Sequence, residues 1–138
     1  MTHLTKRIAT LAAAAALTLS SAAPVSALAA QAQPYGTWVA SGSRWWYRNL
    51  DGSYPADAWL YSGGCWFYFD ASGWMATGWR QIGGTWYYFD GSGAMATGWR
   101  ILDGTWYYLD SSGAMATGWR QFRGLWYYFD PSSAPSTS

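Results

Sequence analysis

The sequence predicts an all-β protein, a solenoid of stacked β-hairpins with a period of 20 residues. Three observations carry this prediction. The segment from Gly78 to Asp90 returns from Gly98 to Asp110 and again from Gly118 to Asp130. Trp79, Trp99 and Trp119 thus fall in one column, and Trp66, Trp86, Trp106 and Trp126 in another; a fixed period of this size marks a repeat array rather than a single closed globule. Within each copy, Gly83-Gly84 or Asp103-Gly104 separates two short runs, and such pairs suit a two-residue hairpin loop whose central residues both need φ > 0. Finally, aromatic residues make up 20% of the chain, whereas Leu, Ile and Val are scarce after residue 31. Rings of about 150–250 Å² each must therefore supply the burial. An isolated hairpin is marginal in water, so the units have to stack.

Residues 1–29 read as a secretory signal peptide. Lys6 and Arg7 precede an apolar run from Ile8 to Leu19, and Ala27-Leu28-Ala29 offers a small-x-small cleavage site. The run is shorter than the about 20 residues that a membrane-spanning helix needs. Residues 30–35 form a Gln/Ala/Pro linker, and residues 36–130 form the array, about five hairpins. In the first unit Trp38 opens, Ser41-Gly42-Ser43-Arg44 reads as a longer loop, and Trp45-Trp46-Tyr47 closes. Trp46 lies one period before Trp66, while Trp38 lies 21 residues before Trp59, which places an extra residue in that loop. Between later units runs a joint, Gly93-Ala-Met-Ala-Thr97 and Gly113-Ala-Met-Ala-Thr117, entered through Asp90-Gly-Ser and Asp110-Ser-Ser. The entries read as Asx turns, and Met95 and Met115 as flexible fillers between units. The second joint carries Trp74 where the others have Ala94 and Ala114. The pattern fails after Asp130, so residues 131–138 read as a disordered tail.

With the turn at Gly83-Gly84, Ile82 pairs with Thr85, Gln81 with Trp86, Arg80 with Tyr87 and Trp79 with Tyr88. Side chains alternate along a strand and match across it, so Trp79, Gln81, Trp86 and Tyr88 share one face. Arg80, Ile82, Thr85, Tyr87 and Phe89 share the other. Trp79 and Trp86 then face each other diagonally, a gap suited to an object held between two rings.

Composition narrows the function. Of eight Lys and Arg, Lys6 and Arg7 leave with the signal peptide, as does the single His. Six Arg then face seven Asp, with no Glu. No basic stripe remains to neutralise a phosphate backbone, which argues against nucleic acid. Cys65 is the single cysteine, so no intramolecular disulfide can form and a cysteine-based metal cluster is excluded. It stands in the column of Thr85 and Thr105, a small residue in a hairpin strand. Asp70, Asp90, Asp110 and Asp130 recur at turns without a His, Glu or Lys beside them, a structural distribution rather than a pair of acids around one cleft. No catalytic residue, metal ligand or cofactor is expected.

The pattern Gly-Trp, short turn, Trp-Tyr-Tyr-Phe-Asp, then Gly-x-Met-Ala-Thr-Gly-Trp resembles the cell-wall-binding repeat of the choline-binding family, as in the attachment modules of pneumococcal and phage lysins. The resemblance covers residues 36–130. It implies a left-handed β-solenoid that holds choline groups of teichoic acids, each between two Trp of one hairpin and an aromatic of the next. Carried over, the Trp pairs are Trp38/Trp46, Trp59/Trp66, Trp79/Trp86 and Trp99/Trp106. The closing rings are Tyr68, Tyr88, Tyr108 and Tyr128, chosen because alternation puts the second Tyr on the Trp face; the first (Phe67, Tyr87, Tyr107, Tyr127) is the alternative. Trp119 and Trp126 have no following hairpin, so their site is incomplete or closed by another molecule, which leaves a homodimer through a terminal repeat open. The resemblance implies a non-catalytic module, secreted and bound non-covalently to the cell surface through a choline-bearing cell-wall polymer. Aromatic faces suit such a ligand, because a trimethylammonium group has no N–H to donate and presents charge and methyl surface together. A glucan-type carbohydrate module and a surface scaffold binding another protein are the competing readings.

Overall fold

The turns set the architecture. Gly83 and Gly84 have φ of 58° and 81°, and Asp103 and Gly104 have 50° and 77°, so both central residues of each loop adopt the left-handed conformation that the twist of a two-residue hairpin demands. The computed structural model describes residues 29–30, 32 and 35–133. The expected signal peptide up to residue 28 and the last five residues of the expected tail lie outside them. Among the described residues there is no α-helix, and none of the sheets closes into a barrel.

After a two-residue strand β1 (Ala29–Ala30), five hairpins follow. They are β2 (Thr37–Ser41) with β3 (Arg44–Arg48), β5 (Ala58–Ser62) with β6 (Cys65–Phe69), β7 (Gly78–Ile82) with β8 (Thr85–Phe89), β9 (Gly98–Leu102) with β10 (Thr105–Leu109), and β11 (Gly118–Phe122) with β12 (Leu125–Phe129). Strand β4 (Tyr54–Pro55) pairs in parallel with β1. In β7–β8, Trp79 lies opposite Tyr88, Gln81 opposite Trp86 and Ile82 opposite Thr85, the register expected from the turn. The same register recurs in β5–β6, β9–β10 and β11–β12.

The first hairpin corrects the sequence reading. Trp38 lies opposite Tyr47, Ala40 opposite Trp45, Val39 opposite Trp46, and Ser41 opposite Arg44. Its loop is therefore the same two residues, Gly42-Ser43, and has gained nothing. Trp45, not Trp46, occupies the column of Trp66 and Trp86. The additional residue sits in the following joint, between Arg48 and Ala58, where nine residues replace the eight between Phe89 and Gly98. Because side chains alternate with a period of two, this one-residue slip puts Trp46 on the face opposite Trp38.

The joints fold back on their hairpins. The Asp90 carboxylate accepts hydrogen bonds from the Ser92 N–H (2.8 Å), the Ser92 hydroxyl (2.6 Å) and the Ala94 N–H (3.1 Å). Gly93 N–H then donates to the Asp90 carbonyl at 2.9 Å, Ala96 N–H to the Tyr88 carbonyl at 2.8 Å, and Met95 bridges to Phe89. Asp70 and Asp110 organise equivalent turns. A Cβ at Gly113 would collide with the Met95 sulfur, so that glycine is where one joint lets the preceding methionine approach the backbone. At Asp130 the carboxylate accepts from Ser132 in the same way, and Pro131–Ser133 forms a single 3₁₀ turn.

The chain divides into two compact units, Met1–Ala76 and Thr77–Ser138. In the first, Ala32, Tyr47, Leu60 and Phe69 form a buried cluster flanked by Trp38, Phe67 and Met75. Residues of the expected linker thus take part: Ala30 pairs with Pro55, and Ala32 is buried. In the second unit the buried hydrophobic residues repeat with the period, Phe89 with Leu109 and Ala96 with Ala116.

Candidate aromatic ligand sites

Alternation delivers the rings to one face of each hairpin, and the hairpin register sets their distances. Trp79 and Trp86 have centroids 6.4 Å apart with planes at 85°. Trp99 and Trp106 lie 5.9 Å apart at 82°, and Trp59 and Trp66 6.3 Å apart at 84°. Each pair is a right-angled corner of two indole rings. The second Tyr of each hairpin packs against the first Trp of the same hairpin: Tyr68 on Trp59 at 5.2 Å, Tyr88 on Trp79 at 5.2 Å, Tyr108 on Trp99 at 5.3 Å, Tyr128 on Trp119 at 5.2 Å.

The ring that the next hairpin sets against this Trp is a different one. Tyr107 meets Trp79 at 4.8 Å, and Tyr127 meets Trp99 at 5.2 Å. In the first unit Phe67 meets Trp38 at 4.9 Å. In these three hairpins the first aromatic of the pair therefore makes the contact with the preceding hairpin at the Gly-Trp column, where alternation within one hairpin had favoured Tyr108, Tyr128 and Tyr68. The reason is the stacking direction: the face opposite the Trp corner of one hairpin lies on the Trp corner of the hairpin before it. Phe122 and Phe129 come from that same opposite face and add contacts to Trp99 at 5.0 and 5.6 Å. Joints reinforce the stack, since Met115 N–H donates to the Trp86 carbonyl at 2.9 Å and Met75 N–H to that of Trp45 at 2.8 Å.

The two Trp columns differ in access. Trp79 and Trp99 are half-buried beneath the next hairpin, and Trp59 is only 2% exposed. Trp106 is 58% exposed, Trp126 63% and Trp45 44%, while Trp66 and Trp86 are half-buried. Of the residues singled out in sequence, Trp38 is packed among Tyr47, Phe67 and Phe69. Trp46 lies on the other face, and its neighbour Trp45 was the residue missed. Equal offsets of 21 from Trp38 to Trp59 and from Trp45 to Trp66 were the signal for it. Tyr61 was missed as well: it stands where other hairpins have Gln81, Ile101 or Gln121, and its ring lies 5.0 Å from Trp66.

Charge is sparse around these rings. The Ser92 hydroxyl bond, helped by the N–H groups of Ser92 and Ala94 and by the Arg100 charge, holds the Asp90 carboxyl below its ordinary range. The Ser132 hydroxyl and N–H do the same for Asp130. Arg80, Arg100 and Arg120 each donate to the carbonyl of the preceding Trp at 3.1, 3.2 and 3.1 Å. What the corners offer a ligand is therefore ring surface, and a cation held within about 6 Å of a ring centroid is the ligand such surface attracts.

The choline-binding repeat profile matches residues 57–97 and 96–134. The chain belongs to the choline-binding repeat family. Solved structures agree: CbpJ of Streptococcus pneumoniae superposes with a TM-score of 0.66 at 46% identity, over 72% of this chain and 35% of that one. Choline binding protein F of Streptococcus pneumoniae gives 0.66 at 43% identity, over 72% and 34%. The pneumococcal cell wall endolysin from phage Cp-1, complexed with choline, gives 0.59 at 44% identity, over 70% and 29%. The chain thus spans about a third of the length of these relatives. No curated protein sequence matches it.

Proposed function

We propose that this chain is a non-catalytic binding module that holds choline groups of a cell-wall polymer, such as a teichoic acid, at its aromatic corners. The observation that supports this most is the recurrence of one geometry, two indoles at right angles about 6 Å apart, at successive hairpins. A flat sugar ring stacks on a single platform, whereas a near-spherical trimethylammonium group touches two perpendicular faces at once. Trp79/Trp86 and Trp99/Trp106 are the pairs we assign to it, with Trp45 taking the place of Trp46 in the first unit; the Trp59/Trp66 pair has the same angle, but Trp59 is closed off from solvent and only the Trp66 ring of that pair is accessible. Each ring contributes about 0.5–2 kcal/mol, so the two rings of a corner give about 1–4 kcal/mol before the cost of association, which makes single-site affinity millimolar or weaker. Several sites on one polymer then raise the apparent affinity by avidity.

In this reading residues 1–29 direct export, the array of residues 36–130 works at the cell surface, and a second copy of the chain covers the aromatic face of β11–β12. Trp119 and Trp126, 62% and 63% exposed there, supply the surface for that copy. The test is calorimetric titration with choline and with glucan oligosaccharides, alongside melting curves. Choline at millimolar concentration is expected to bind and raise the melting temperature by mass action, and oligosaccharides to do less. A response to sugars with none to choline would transfer the corners to the carbohydrate reading.

A further inference from the structure

Two departures from the repeat meet in space. Trp74 stands where the later joints carry Ala94 and Ala114, and Arg44 stands in the column of Cys65, Thr85, Thr105 and Leu125. The Arg44 guanidinium carbon lies 3.9 Å from the centroid of the Trp74 ring. Trp74 is held from its backbone: its N–H donates to the Asp70 carboxylate at 2.9 Å, and its carbonyl accepts from the Asp70 N–H at 2.9 Å. The next residue, Met75, is tied to the Trp45 carbonyl, which fixes the backbone of this joint to the first hairpin. Arg44 is exposed and reaches over it from the first hairpin. A guanidinium on an indole face satisfies the same ring quadrupole that a quaternary ammonium ion would.

We propose that Trp74 is a further aromatic wall for a quaternary ammonium ion, and that Arg44 is a tethered cation which competes for it. This rests on the choline reading above. Nothing in the repeat requires a Trp at this joint, since Ala94 and Ala114 make the same backbone turn around Asp90 and Asp110. What the Trp adds is a ring face, and what that face meets is a positive charge. An exposed stack of this kind leaves the ring free for roughly a fifth of the time, which weakens an incoming ligand by about three- to sixfold.

The test uses the full chain labelled with 5-fluorotryptophan, with the Trp74 fluorine signal identified by its loss in Trp74→Phe. Choline chloride is titrated against a sodium chloride control, into the native protein and into Arg44→Gln, which keeps most of the side-chain length without the charge. In Arg44→Gln the Trp74 signal should titrate at about three- to sixfold lower choline than in the native protein, and Arg44→Lys should behave like the native protein. Equal midpoints in native protein and Arg44→Gln would overturn the competition. So would a Trp74 signal that stays still in Arg44→Gln while other Trp signals move. If choline moves no Trp signal at all, the choline reading itself fails and this proposal goes with it.

Discussion

The two units use the same aromatic repeat in different ways. In Met1–Ala76 most of the packed rings are drawn inward, with Trp45 and Tyr61 left exposed: Trp38 is surrounded by Tyr47, Phe67 and Phe69, and Trp59, Leu60 and Phe69 are closed off from solvent. In Thr77–Ser138 the buried positions are Phe89 and Leu109 with small alanines, and the rings of Trp106, Trp119 and Trp126 stand open. The repeat therefore does not assign one role to each column. A Trp becomes core or accessible surface according to what its neighbours lay over it. The first unit resembles an ordinary small domain with one core cluster, and the second a minimal array whose packing recurs hairpin by hairpin.

The largest effect that could break this comparison is in the first unit. Phe69→Ala removes a ring with no exposure and is expected to cost about 3–5 kcal/mol, read as the loss of urea-unfolding midpoint. Trp126→Ala, at the open end of the second unit, should change the stability of the dilute monomer by no more than about 0.5 kcal/mol. Equal losses for the two variants would mean that burial does not separate the units.

Most of the second unit was legible in the sequence because its turns are unambiguous. Gly83-Gly84 and Asp103-Gly104 admit one loop, the loop dictates the pairing, and the pairing dictates that Trp79 and Trp86 share a face. The first hairpin was less legible because three aromatics in a row, Trp45-Trp46-Tyr47, let the period be counted to the wrong Trp. A shift of one residue reverses the face. The identity of the ring that reaches the preceding hairpin was not legible either. Alternation orders side chains within a hairpin, while Tyr107 meets Trp79 because of how one hairpin is turned against the next, and no local pattern encodes that turn.

An intermediate effect concerns the joints. Asp90→Ala leaves the N–H groups of Ser92 and Ala94 without their carboxylate acceptor, and because the turn is exposed, about 1 kcal/mol of stability should be lost. The associated pH dependence is smaller. The Asp90 and Asp130 carboxyls are held below their ordinary value in the folded chain, so the unfolded chain binds protons first as pH falls. Their contribution is complete above the ordinary carboxyl pKa of about 4 and disappears as pH drops through the folded values. Melting temperature should be level from neutral pH down to about pH 5 and decline below it. Asp90→Asn should flatten that decline, and an unchanged acid limb in the variant would remove Asp90 from the account.

The central claim is that the corner between the two Trp columns, and not the opposite face of the hairpin, meets choline. Equilibrium dialysis with labelled choline tests it most directly, comparing Trp106→Ala with Trp46→Ala. Trp106 completes a corner with Trp99 and is open to solvent, whereas Trp46 pairs with Val39 on the face away from Trp38. The account predicts that Trp106→Ala binds one choline fewer per chain and that Trp46→Ala keeps the native number. Loss of a bound choline in Trp46→Ala, with none lost in Trp106→Ala, would contradict it.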